Sequence, residues 1–263
     1  MSLTDVDVAI AAACAGADVV ARSYGSEHVR VAKSTVDFAT EADVEAERAI
    51  MAVLAEHRPD DATTGEELGS RGSSSRRWLV DPLCGTLNFA AATPLFAVNV
   101  ALVVDGVTTA AAVMDPIAGE LYWTDGSEAF VRREDAERAL APRSSSGLVE
   151  VNCDGPLDTP FVGGNLVADP ALRAQFGPRV ISSTLGVVWA ADARRAAYVS
   201  DGSLRDSVHF TAGIAICAAA GCVVSDLAGA PVHTGRGLIV SADTETHQKL
   251  LALVAPHLRM TTD

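Results

Sequence analysis

The chain has 263 residues, 49% hydrophobic but only 5% aromatic, enough to bury a large core of Ala, Val, Leu and Ile as one big domain or two small ones. Its formal charge of −14 disfavours nucleic-acid backbone and anionic lipid as partners. The same charge means that a phosphorylated substrate needs local help, from a cation or from backbone N–H groups.

Val6 to Tyr24 carries apolar and Ala residues on most faces, the pattern of a long buried helix. Thr40-Glu41-Ala42-Asp43 opens a second helix through Ala46, Ile50, Val53 and Leu54, with the polar caps and early acids that helix N-termini favour, and Pro59 ends it. Arg71 to Ser75 is a polar loop. Trp78-Leu79-Val80 reads as a buried strand delivering Asp81-Pro82 and a Gly85-Thr86 turn at its C-terminal end, where layered α/β folds place ligands. Phe96 to Val104 and Val107 to Met114 flank Asp105-Gly106, and Leu121 to Trp123 and Ala129 to Arg132 flank Asp125-Gly126, which predicts two hairpins. Arg133 to about Val180 is loop-rich. Helices are expected over Val187 to Ala197, Gly213 to Ala220 and Thr244 to Leu258, with short strands at Cys222 to Val224 and Leu238 to Val240. No repeat or linker interrupts this pattern. It predicts one domain over 1–263, with an antiparallel α+β half to about 140 and a mixed α/β half from about 141.

The five cysteines, Cys14, Cys84, Cys153, Cys217 and Cys222, include no Cys-x-x-Cys pair. No signal-like segment and no apolar run of about 18 residues is present, so a cytoplasmic protein without a membrane partner is expected. Taken singly, the chemically interesting residues have ordinary explanations. Asp43 suits the first turn of a helix, Gly65-Glu66-Glu67 a solvated loop, and His209 a capping or core position.

Taken together, four segments resemble the inositol monophosphatase family, within the metal-dependent, lithium-sensitive phosphatase superfamily, in the right order over nearly the whole chain. They are Lys33-Ser34 with Asp37 to Asp43, then Gly65-Glu66-Glu67, then Asp81-Pro82-Leu83-Cys84-Gly85-Thr86, and last His209 to Gly213 with Ala220-Gly221. The resemblance implies a layered αβαβα sandwich of the inositol monophosphatase and fructose-1,6-bisphosphatase type. It implies metal-dependent hydrolysis of a small phosphate monoester by a homodimer. Asp43 and Thr86 match the pair that orients the attacking water. Glu66, Asp81 and the Leu83 carbonyl match metal ligands, and Glu66 also falls among the catalytic residues. The amides of Gly85 and Thr86 match a phosphate cradle, and Ser183 and Thr184 a segment that helps enclose substrate.

Two departures stand out. Cys84 replaces the second Asp of the loop motif, and His209 replaces the Asp of the family's Trp-Asp-x-Ala-Ala-Gly motif. Both positions serve the family's second metal. Either that Mg²⁺ site is lost or weak, or Cys84 and His209 rebuild it for a softer ion such as Zn²⁺ or Mn²⁺. Two alternatives to an active phosphatase stay open: a family-fold protein that binds a phosphate ligand or dimerises without catalysing, and an unrelated thiol enzyme using Cys84 and His209. Tyr198 to Asp206, where family substrate selectivity usually lies, is longer than the common pattern, so no substrate is inherited.

Overall fold

The computed structural model describes residues 3–26, 30–32, 38–155, 161–232 and 236–260; Lys33, Ser34 and Asp37 of the first motif lie outside them. The chain forms two compact units, Met1–Ala139 with Ser183–Leu185 and Val208–Ile216, and Leu140–Ser182 with Gly186–Ser207 and Cys217–Asp263. The two later segments that group with the first unit carry Thr184 and His209.

In the first unit, α1 (Asp5–Ser23) and α2 (Glu41–His57) pack on an eight-stranded sheet made from β3 (Ala62–Gly65), β4 (Gly69–Arg71), β5 (Arg76–Cys84), β6 (Ala97–Val104), β7 (Val107–Asp115), β8 (Glu120–Thr124), β9 (Ala129–Arg133) and β10 (Ala136–Ala139). The order is β10-β9-β8-β7-β6-β5-β3-β4, antiparallel except for β3 beside β5. A small antiparallel pair, β1 (Arg30–Ala32) and β2 (Phe38–Thr40), precedes α2, and a short α3 (Thr86–Ala90) follows β5. Thr4 and Asp7 cap α1 reciprocally, Asp7 Oδ2 accepting from Thr4 N at 3.0 Å and Thr4 Oγ1 from Asp7 N at 3.2 Å.

The strand alternation sorts the sheet's two faces. Trp78, Val80, Val98, Val100 and Leu102 pack in one core with Val8, Ala12, Ile50 and Leu54 of the helices. Burying each large side chain there contributes roughly 1.5–3 kcal/mol. Leu79, Asp81 and Asn99, one residue out of phase, therefore point away from α1 and α2.

The second unit holds β11 (Leu148–Val151), α4 (Val162–Ala168), α5 (Pro170–Gln175), β12 (Gly177–Val180), α6 (Leu185–Ala191) apart from Leu185, β13 (Ala197–Ser200), β14 (Val223–Ser225), β15 (Leu238–Ser241) and α8 (Thr244–Met260), while α7 (Thr211–Ala219) groups with the first unit as far as Ile216. Its sheet order is β12-β11-β13-β15-β14, parallel around β11 and antiparallel around β15. Val149, Val151, Leu166, Val199, Ile239, Leu250 and Val254 form its core.

The long helices and both hairpins lie close to their expected places. The helix expected over Val187 to Ala197 instead ends at Ala191, because Ala193 takes a left-handed φ of 59° and Ala197 already starts β13. The loop-rich stretch after Arg133 contains β10, β11, α4, α5 and β12, each four to seven residues long, too short for a period to show. No described helix is long and apolar enough to cross a membrane.

Candidate active site

The site grows from the end of β5, which runs two residues past the expected Asp-Pro stop and reaches Cys84. Pairing with β6 shifts register between Asp81, opposite Asn99, and Cys84, opposite Ala97. The irregularity accommodates Pro82, which has no N–H for the ladder, and re-aims the side chains that follow. Asp81 is wholly buried: Oδ1 accepts from Leu83 N at 3.0 Å, and Oδ2 lies 2.7 Å from His209 Nδ1. Gly85 then takes φ 114°, a conformation that strains any side chain, and turns the chain into α3.

Thr86, the first residue of α3, places Oγ1 3.0 Å from Asp43 Oδ1 and 3.1 Å from the Leu83 carbonyl oxygen. Asp43, wholly buried in the first turn of α2, also accepts from Thr40 N at 2.8 Å and from Thr40 Oγ1 at 2.6 Å through Oδ2. Burial raises its pKa above the ordinary carboxylate value, against these hydrogen bonds. Asp43 thus joins two elements: it caps α2 through Thr40 and holds Thr86 at the start of α3.

Glu66 leaves β3 level with Asp81, because Gly65 pairs with Val80 and Glu66 N donates to the Val80 carbonyl at 3.2 Å. Its Oε2 lies 3.8 Å from His209 Nδ1. Beneath these residues, Asn99 Nδ2 donates to Thr184 Oγ1 at 2.8 Å and to the His209 carbonyl at 3.1 Å. Thr184 Oγ1 is itself 2.7 Å from that carbonyl and 3.0 Å from Cys84 Sγ. A hydroxyl has one proton. If Thr184 spends it on the nearer carbonyl, the Cys84 S–H becomes the donor to Thr184, and the thiol is satisfied as a neutral group.

Residues 2–259 match the family described as the inositol monophosphatase family. The chain belongs to that family. It is 30% identical over 257 residues to an inositol-1-monophosphatase of Mesorhizobium japonicum, covering 95% of each chain. It is 39% identical over 140 residues to an inositol-1-monophosphatase of Caulobacter vibrioides, a match spanning 51% of this chain and about half, 55%, of that relative. The crystal structure of the extragenic suppressor protein suhB from Bartonella henselae superposes with a TM-score of 0.80 at 26% identity, covering 94% of this chain and 97% of that one. The fold is therefore the layered α/β fold that the motifs implied.

Inositol monophosphatase family members act on phosphate esters with the help of metals, and the donors here can be tested against that need. Glu66, Asp81 and the Leu83 carbonyl are hard oxygen donors, the type a divalent cation such as Mg²⁺ takes. The Cys84 and His209 positions fit a second hard cation poorly. One donor atom each of Asp81, Cys84 and His209 lies within 4.8 Å of the others. Yet burial, followed by the Asp81 charge, pushes the Cys84 thiol up and away from the thiolate that a metal requires. Burial opposes charge on His209 too, but the hydrogen bond to the Asp81 carboxylate, with that carboxylate's charge, pushes it up to about 12. That side chain keeps 45% of its surface exposed, so water screens the pair in part.

Of the remaining expected site residues, Ser183 is buried and its Oγ accepts from Leu185 N at 3.3 Å at the start of α6. Thr184 lies in the network under Cys84 rather than in an open pocket. Two residues of the constellation escaped the sequence reading. Asn99 was visible as the one polar residue in Ala97-Val98-Asn99-Val100-Ala101. Glu47 stands four residues after Asp43, on the same helix face.

Proposed function

We propose that this family member hydrolyses a small phosphate monoester at a site with one hard cation position in place of two. The observation that carries the reading is the 3.0 Å bond from Thr86 Oγ1 to Asp43 Oδ1 beside the Asp81 carboxylate. A divalent cation held by Glu66, Asp81 and the Leu83 carbonyl would supply charge against the phosphate and acidify a water. Thr86 orients that water and relays its proton to Asp43, whose burial suits it to keep one. The amides of Gly85 and Thr86, at the start of α3, receive phosphate oxygens. His209 Nδ1 faces the Asp81 carboxylate and places a hydrogen-bond donor where the family carries an acid. The family resemblance supports a cytoplasmic homodimer as the working form.

The buried Cys84, whose thiol is pushed up and away from the thiolate by burial, favours a second reading, a weakened or inactive member that binds a phosphate ligand. Phosphate release from a panel of monoesters under Mg²⁺, Mn²⁺ and Zn²⁺, with calorimetric counting of bound ions, separates the two. Release with one ion per chain supports hydrolysis. Binding of phosphate esters without release supports the second reading.

A further inference from the structure

We infer that Glu47 is a positioning residue for Glu66, and that the affinity of the site for a divalent cation is set from α2 through this buried carboxylate. The inference rests on the reading of Glu66 as a cation ligand and extends it to a residue with no contact of its own to that cation. Glu47 is wholly buried, and its two oxygens accept from the amides that follow Glu66: Oε2 from Glu67 N at 2.7 Å and Oε1 from Leu68 N at 2.9 Å. A carboxylate sunk in a core costs several kcal/mol unless charge-assisted hydrogen bonds meet it. Here they come from the backbone of the site loop. On its other side, Glu66 is tied to β5 by its own N–H on the Val80 carbonyl, one residue before Asp81. Its backbone is therefore fixed at both ends, by the strand that carries Asp81 and by the helix that carries Asp43.

A second observation shows how closely the parts are fitted. A Cβ on Gly65 would fall 1.8 Å from Glu47 Oε1 and 2.8 Å from Met51 Cε. It is the Glu47 carboxylate and not φ that makes glycine fit at 65, since Gly65 lies in a regular strand paired with Val80 and Gly69 and a Cβ there would have to displace the carboxylate. The Gly-Glu-Glu sequence and Glu47 form one device. Any side chain at 65 ejects the carboxylate, and loss of the carboxylate frees the loop.

The test is Mn²⁺ binding to the full chain, followed by electron paramagnetic resonance, in wild type, Glu47→Gln, Gly65→Ala and the control Glu150→Gln. Glu150 is also a buried carboxylate, paired with Arg195 in the second unit, so its variant shares the stability cost without touching the site loop. Glutamine at 47 keeps the shape but turns an N–H₂ toward a backbone N–H. Glu47→Gln should weaken Mn²⁺ binding about 10- to 100-fold, the usual effect of losing a group that orients a ligand. Gly65→Ala should do the same, and Glu150→Gln should bind as wild type. Glu47→Asp, which restores the charge, should recover part of the loss. Equal Mn²⁺ affinity in wild type, Glu47→Gln and Gly65→Ala would overturn the inference while leaving Glu66 as a ligand. A wild type that binds no Mn²⁺ would overturn the cation reading and the inference with it.

Discussion

At the scale of single residues, the two substitutions against the family pattern converge on one carboxylate. His209 Nδ1 sits on Asp81 Oδ2, and Cys84 is held beneath by Thr184. Replacing Cys84→Asp and His209→Asp together returns two hard, charged ligands to the position that now lacks them. Mg²⁺ binding and Mg²⁺-dependent phosphate release should both rise in the double variant. Each single variant should recover less than half the gain, because ligands of one ion do not act additively. Calorimetry and release assays on all four proteins check this. Four identical proteins would mean that the pair never served a second cation. The sequence made Asp43, Glu66, Asp81, Thr86 and His209 legible as candidates because the four segments that carry them resemble the family motifs in the right order; taken singly, none of them stood out. Asn99 and Glu47 were visible as residues, but their roles were not, because their partners are backbone groups and hydroxyls 20 to 110 residues away, which no local pattern encodes.

At the scale of elements, legibility followed length. Helices of 17 and 19 residues and strands of eight or nine show their period, whereas the short elements between Arg133 and Val180 do not. β5 anchors the site, and Trp78 anchors β5, with its ring wholly buried and Nε1 donating to Asp61 Oδ2 at 2.9 Å. Trp78→Ala should cost about 3–5 kcal/mol in denaturant unfolding, through lost burial and the cavity left behind. In the second unit, His247 at the start of α8 joins two strands, with Nε2 2.9 Å from Ser225 Oγ and Nδ1 3.2 Å from Ser241 Oγ. Burial lowers its pKa below the ordinary 6.5, so the unfolded chain takes up a proton that the folded one resists. Stability should therefore hold above pH 6.5 and fall as the pH drops through that value. Urea unfolding at about pH 7, 6 and 5 should show a smaller loss in His247→Gln than in wild type; equal slopes would assign the acid sensitivity to other groups.

At the scale of the whole chain, the first unit is not a contiguous piece of sequence. Ser183–Leu185 and Val208–Ile216 return to it, and they supply both acceptors of the buried Asn99 amide. A fragment ending at Ala139 would leave that amide unpaired in a core and lack His209 altogether. It should be markedly less stable than the same unit in the intact chain, by more than the roughly 1–3 kcal/mol of one orphaned polar group. Hydrogen exchange of the fragment and the full chain measures the difference, and native-like protection of β5 and β6 in the fragment would refute it.

In the proposed mechanism, Asp43 draws a proton through Thr86 from a water beside a cation that Glu66 and Asp81 would hold. The most direct measurement is the rate of phosphate release by wild type and Asp43→Asn, with Mn²⁺ binding followed in the same samples. Mn²⁺ should be bound equally by both proteins, and release should fall about 10²- to 10⁴-fold in Asp43→Asn, the range for a lost general base. Equal release by the two proteins, or no release by wild type with Mn²⁺ bound, would contradict the mechanism.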